Sequence, residues 1–426
     1  MSGYESRRRS QDTDRSAAEW FYRNRRRKRG RLAPAEGRLS LDKIASRDRL
    51  YQCFMLLKEE GGQAPGPDNI RYVDLSPKEV GRLAGDYSRL ILEGAYRPQG
   101  VRPCPIPKPG SEEKRVLEIG SIFDRVVAKA LSTALEPYWE RVFVDNSWGF
   151  RPGRGTWGML AESEVTMAAE DRWVIAIDDV KRAFDNIRVE DVLDAHRRLF
   201  ERDDVVALGP AEQSRILGFI AAVTQGPRPN RQTGISQGNP FSPLAMNAVL
   251  HYGHDVLLDN SEHPPWARYA DNVCYLAKGV REGQQALNHA RRLLRSRHLE
   301  LKGEDGVRDL SVGHRAQLLG FNLRKEGDGL EYEIGNNAYS QLEEHLKEAH
   351  EHPDPPAVAK ASVRGWIDSL GPTFEEGGDA VSRALHTAAQ YGFREIGSVE
   401  ELRGLWEASC QRWRKTRRAA TKARRR

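Results

Sequence analysis

The chain has 426 residues, 39% of them hydrophobic and 30% charged, which is apolar enough for two or three packed domains and too apolar for a disordered chain. It has no run of about eighteen apolar residues, no apolar segment behind the Arg- and Ser-rich N-terminus and no Cys-x-x-Cys among Cys53, Cys104, Cys274 and Cys410. A membrane span and a secretory leader are therefore not expected, neither a disulfide framework nor a zinc module is indicated, and a reducing cytoplasm is expected.

The net charge of +6 conceals a segregation. Residues 1–31 carry eleven Lys/Arg against four Asp/Glu, residues 412–426 carry nine and none, and the body between them is net −10. Basic ends of this density predict arms that bind a polyanion, because each neutralised phosphate releases counterions. Trp20, Phe21 and Tyr22 precede Arg25, Arg26, Arg27 and Lys28, and Trp413 adjoins Arg414, Lys415, Arg417 and Arg418. Aromatic rings stack on unpaired bases, so these residues are expected to contact nucleic acid.

In chain order, an apolar face at period 3.6 predicts a helix over 41–60, broken by Gly61 to Asp68. Ser76-Pro77-Lys78-Glu79 caps a second helix running to about Glu93. Arg102 to Gly110 is too proline-rich for a central strand and reads as an edge ribbon or an extended loop. A hairpin turning near Pro109-Gly110-Ser111 would bring Lys108 beside Arg115. A buried helix over 122–138 is followed by the basic, glycine-punctuated loop Ser147 to Arg154.

Trp173 to Ile177 is a continuous apolar strand that ends in Asp178-Asp179. Acids there are expected at an exposed tip. Helices over 189–200 and 211–224 lead to Gly234 to Leu244 and a helix over 244–258. Tyr269-Ala270-Asp271-Asn272 is a polar turn between two β-prone segments. A basic helix over 281–297 and a strand over 316–323 follow, and then helices over 338–411 with breaks at 352–356, 371–378 and 392–398. His251 and His254 share one helix face without a third ligand nearby, and read as structural or surface histidines. His345, His350 and His352 likewise read as a charged helix end.

Two strand-end acids far apart in sequence, Asp179 and Asp271, are what a two-metal phosphoryl-transfer site needs, and Lys108 and Arg115 would neutralise a triphosphate.

Across about residues 62–325 the chain resembles the reverse transcriptases of the group II intron lineage. Gly66-Pro67-Asp68, Ser147 to Arg154, Asp179 to Ile187, Gln237 to Leu244, Tyr269 to Asn272 and Leu319-Gly320-Phe321 stand in the family's order. The resemblance implies an α+β right-hand polymerase with a ferredoxin-like antiparallel palm sheet. It divides the chain into a basic arm (1–38), fingers (39–165), palm (166–335), helical thumb (336–411) and basic tail (412–426).

By the same resemblance, Asp179, the Val180 carbonyl and Asp271 would hold two Mg2+ ions, or Mn2+, with Asp178 left on the surface. Asn272 joins the two aspartates as a catalytic-turn residue. Lys108, Arg115, Phe184, Gln237, Gly238 and Ala270 would surround the nucleotide, Phe184 as the gate against a ribose 2′-hydroxyl. Arg151 and Arg154 would contact nucleic acid.

The implied partners are deoxynucleotides, an RNA–DNA duplex held by the thumb and an RNA template, taken as a structured noncoding RNA in antiphage defence. Two departures stand out. Asn272 replaces the family's second aspartate, and Lys302-Gly303-Glu304 replaces its Glu-Lys-Thr, leaving Lys302 a displaced candidate for the general acid. Two other functions are open to such a chain: an intron maturase or RNA-binding scaffold with weakened catalysis, and a polymerase that needs no template or primer.

Overall fold

The computed structural model describes residues 39–60, 62–107, 114–304, 306–351, 354–376 and 379–424. The N-terminal stretch is helical: α1 (Leu41–Ile44), α2 (Arg47–Glu60) and α3 (Pro77–Leu92). The helix expected over 41–60 is thus interrupted at Ala45. The predicted cap on α3 is present, with Ser76 and Glu79 satisfying each other's backbone N–H groups. β1 (Val101–Pro107) and β2 (Lys114–Gly120) form a separate two-stranded antiparallel ribbon, as the prolines demand. Then come α4 (Ile122–Trp139), α5 (Thr156–Glu170) and β3 (Val174–Asp179).

After β3 the order is α6 (Ala183–Asn186), α7 (Val189–Phe200), α8 (Pro210–Gln225), α9 (Ser242–Leu250), a π turn (His251–Asp255), α10 (Val256–Asp259), β4 (Trp266–Tyr269), β5 (Asn272–Ala277), α11 (Val280–Arg295) and β6 (Gly306–Asp309). These strands make one antiparallel sheet in the order β4-β5-β3-β6. Alternation gives β3 two faces. Ala176 packs with Val273, Tyr275 and Leu287 of α11 in the larger core. Ile175 and Ile177 pack with Cys274, Leu276 and the α5 residues Met159 and Leu160 in a second core.

That second core also takes in β7 (Ala316–Leu318), β8 (Phe321–Glu326), β9 (Gly329–Ile334) and Trp413. The single strand expected over 316–323 is instead a hairpin, because Leu319 and Gly320 both take positive φ (50° and 90°) and turn the chain back. Helices α12 (Asn336–Ala349), α13 (Pro355–Asp368), α14 (Asp379–Gln390) and α15 (Val399–Arg424) enclose a third core around Leu342, Val363, Val381 and Trp406.

Two expected boundaries fall inside helices. α5 runs through 165/166 and packs on one face of the four-stranded sheet. α15 runs through 411/412 without a break, so the basic tail as far as Arg424 is the second half of a helix that lies back on α5. Trp413 is correspondingly buried edge-on against Tyr332 and Trp157 rather than offered to bases. Among the described residues no helix is long and apolar enough to cross a membrane.

Candidate active site

The site forms where β3 ends beside the β4–β5 turn. Asp179 is the register partner of Asn272, and Tyr269 pairs with Asn272 on the other side, so Ala270 and Asp271 alone make the turn. Ala270 adopts φ 57°. The Val180 N–H donates to the Asp271 carbonyl at 2.9 Å, tying the strand end to the turn. On its far side β3 is continued by the segment after α11: Lys181 N donates to Glu300 O at 2.7 Å and Lys302 N to Asp179 O at 2.8 Å.

Burial, helped by the neighbouring Asp179 carboxylate, raises the Asp271 pKa, while Lys302 and Arg115 oppose the rise. An Asp271 anion beside the Asp179 carboxylate is an arrangement that a bound cation would relieve. The fit has a second sign: Asp179 Oδ1 is buried without a hydrogen-bond partner. The other oxygen, Oδ2, accepts from Lys302 Nζ at 2.5 Å. Burial pulls the Lys302 pKa down, but Asp179 and Asp271 outweigh it and leave it raised. Among the described residues no group of three or more His, Cys, Asp or Glu is placed to hold a metal ion, so a cation here would have the two aspartates and backbone oxygen such as that of the buried Val180 as its donors.

Asp178 corrects the expectation of a surface residue. It is fully buried, its carboxylate accepting from the N–H groups of Asp179 and Gly303 at 2.9 and 3.0 Å and from Arg291 Nη2 at 3.2 Å. It points to the α11 face, opposite Asp179, and secures the Lys302–Gly303 backbone.

The turn is held from behind by Arg268, which is fully buried in β4. All five of its N–H donors are used. Nε and Nη2 clamp the Asp255 carboxylate (2.9 and 2.6 Å), Nη1 reaches Asn247 Oδ1 (2.9 Å) and the Ala270 carbonyl (2.7 Å), and Nη2 also reaches Ser147 Oγ (2.9 Å). Burial pushes Asp255 up, yet Arg268 and His254 more than offset it and hold the carboxyl well below the usual range. His254 sits between Asp255 (2.8 Å) and the Tyr275 hydroxyl (2.6 Å), while His251 packs edge-on against Trp139 and Phe143. Both are buried, where the sequence left a structural or a surface place open.

Phe184, half-buried on α6, lends its carbonyl to Ile235 N at 2.7 Å, and the Gln237 carbonyl accepts from Glu118 N of β2 at 2.7 Å. The 234–238 loop therefore bridges the palm to the ribbon. Gly238 has φ 106°, and a Cβ there would lie 3.3 Å from the Glu118 carbonyl. Arg115, exposed on β2, acts electrostatically on Asp271. Lys108 lies outside the described residues, as do Arg25, Arg26, Arg27 and Lys28.

Arg151 and Arg154 do not present their charge to solvent. Arg151 makes a bidentate pair with Glu140 (2.8 and 2.9 Å) and donates to the Val144 and Ser147 carbonyls. Arg154 pairs with Asp145 at 2.9 Å, and burial pulls its pKa down to about 10. Both arginines brace their own loop. Of the C-terminal group, Arg414, Lys415 and Arg418 are exposed on α15, whereas Arg417 pairs with the buried Glu164 at 2.6 Å.

Arg268, Asp255, Asn247 and the position of Lys302 went unassigned in the sequence. An arginine inside the apolar strand Trp266-Ala267-Arg268-Tyr269 was the available signal, since such a charge requires a buried acid.

The family model described as reverse transcriptase (RNA-dependent DNA polymerase) matches residues 106–304. Protein YkfC of Escherichia coli (strain K12) is 26% identical over 272 residues, 54% of this chain and 68% of that protein. The group II intron-encoded protein LtrA of Lactococcus lactis subsp. cremoris is 32% identical over 166 residues, 38% of this chain. The chain spans about a quarter of LtrA's length, 26%. Among solved structures, telomerase from Candida albicans in complex with a TWJ fragment of telomeric RNA has a TM-score of 0.42 at 11% identity, covering 75% of this chain and 64% of that one. Apo telomerase from Candida tropicalis has a TM-score of 0.42 at 10% identity, covering 74% and 67%.

Proposed function

The chain carries a reverse transcriptase domain over residues 106–304, similar to that of a group II intron-encoded protein, and from that premise we propose that it extends a DNA primer on an RNA template from deoxynucleotides. The observation that carries this reading is the buried, partnerless Oδ1 of Asp179 next to Asp271, whose own ionisation is suppressed. Asp179, Asp271 and the Val180 carbonyl would hold two Mg2+ ions, or Mn2+, which when bound favour ionisation of the primer 3′-hydroxyl and neutralise the leaving pyrophosphate.

The protein's own groups do the rest. Arg115 brings fixed positive charge from the ribbon toward the triphosphate, together with Lys108. The Lys302 ammonium, already at the site, can follow the leaving pyrophosphate and donate a proton from Nζ. Phe184 closes the sugar pocket against a 2′-hydroxyl. Gln237 and Gly238 form the floor beneath the new base pair, and the thumb helices hold the duplex by shape, with Arg414, Lys415 and Arg418 on phosphates. We assign the work to the cytoplasm, on a cognate structured noncoding RNA and in antiphage defence.

Asn272 favours one second reading, an RNA-binding scaffold or maturase with weakened catalysis, since a neutral amide stands where a carboxylate would add charge. Extension assays with purified protein, Mg2+ or Mn2+, deoxy- or ribonucleotides and RNA or DNA template separate the two. The polymerase reading expects extension on RNA with deoxynucleotides. RNA binding without product under either metal would favour the scaffold.

A further inference from the structure

Among the side chains the structure describes, Phe150 is the one exposed Phe, Tyr or Trp. It is 52% exposed and has φ 57°, a backbone conformation that bulky L-residues rarely hold. Slack in the loop does not explain it. The preceding Trp148 N donates to the Arg268 carbonyl at 2.7 Å, and the Gly149 carbonyl accepts from Asn247 Nδ2 at 2.8 Å. A Cβ on Gly149 would stand 2.3 Å from Ala270 N, so the backbone there lies directly on the turn that bears Asp271. On the other side Arg151 is locked to Glu140. A rigid frame thus holds an apolar ring out into solvent one residue away from the catalytic turn, in a strained conformation. Strain maintained in this way marks a place where something is met.

We propose that Phe150 stacks on a nucleobase of the template–primer at its reacting end. The inference rests on the polymerase reading above. A base fits better than backbone phosphate because the loop's two arginines are turned inward to Glu140 and Asp145, leaving the ring as what the loop offers. Stacking also suits a copying enzyme, since every base has a π-face and sequence is not selected.

The test places 2-aminopurine in turn at the primer terminus and at the adjacent template positions. It compares the wild-type chain with Phe150→Trp, Phe150→Ala and Phe150→Gly. Wild type and Phe150→Trp should quench the probe at one of these positions. Phe150→Ala and Phe150→Gly should lose the quench and release template–primer about tenfold faster, while Phe150→Gly, relieved of strain, melts no earlier than wild type. Equal quenching and release by all four proteins, with wild type extending normally, would overturn the stacking and leave the polymerase reading intact. A wild type that binds template–primer without extending it would strike the polymerase reading instead, and the quench would still decide the stacking.

Discussion

Asp179 and Asn272 stand directly opposite each other in the β3–β5 ladder, so their side chains leave the same face of the palm sheet. A charge restored at 272 would therefore add to Asp179 and Asp271. Asn272→Asp should lower the Mg2+ needed for half-maximal extension on the order of tenfold and narrow any preference for Mn2+. Titrating each metal in primer extension checks this, and an unchanged preference would place the 272 side chain outside the metal shell.

Lys302 supplies the cation that Asp179 has in the free protein. Lys302→Met removes that competitor, so the affinity for Mn2+ measured by electron paramagnetic resonance without nucleic acid should rise several-fold. Single-turnover extension should fall, for want of the proton donor. Equal Mn2+ affinity in the two proteins would mean that the ion pair and the metal do not share the carboxylate.

Arg268→Lys keeps the charge but loses the fork that joins Asp255, Asn247, Ser147 and the Ala270 carbonyl. Leaving Asp255 incompletely paired in the core should cost about 3 kcal/mol, read from urea unfolding. The fraction still folded should extend primers more slowly while binding them normally. A stability equal to wild type would show that the network does not hold the turn.

Much of this site was legible because polymerase chemistry confines its residues to short segments. The apolar run before Asp179, the turn at Ala270-Asp271 and the proline-rich ribbon each declare their geometry locally. Asp178, Arg151 and Arg154 were misread for a common reason. A charged residue in a single sequence reads as facing solvent, and only the fold reveals that Arg291, Glu140 and Asp145 neutralise them internally. α5 and the second half of α15 were missed or cut short because their partners are each other and the palm's second face, a contact with no local signature.

Burial lowers the His196 pKa to about 4, against the smaller opposing effect of its 2.8 Å contact with the Val192 carbonyl. In the unfolded chain it titrates near 6.5. Between these values the unfolded state binds the extra proton, so stability is full above pH 6.5 and is lost as the pH falls toward 4, by up to about 3 kcal/mol. His196→Phe keeps a ring beside Trp139 and lacks the titration. Its urea midpoint should gain on wild type between pH 7 and pH 4.5, and a constant difference would contradict a neutral buried imidazole.

On the proposed function, Asp179 and Asp271 together form the catalytic centre for DNA synthesis on RNA. Single-turnover extension of a DNA primer on an RNA template, with Asp179→Asn and Asp271→Asn beside the wild type at saturating template–primer, tests it most directly. Each variant should bind template–primer like wild type and extend it at least about a thousandfold more slowly. Either variant extending at the wild-type rate would contradict it.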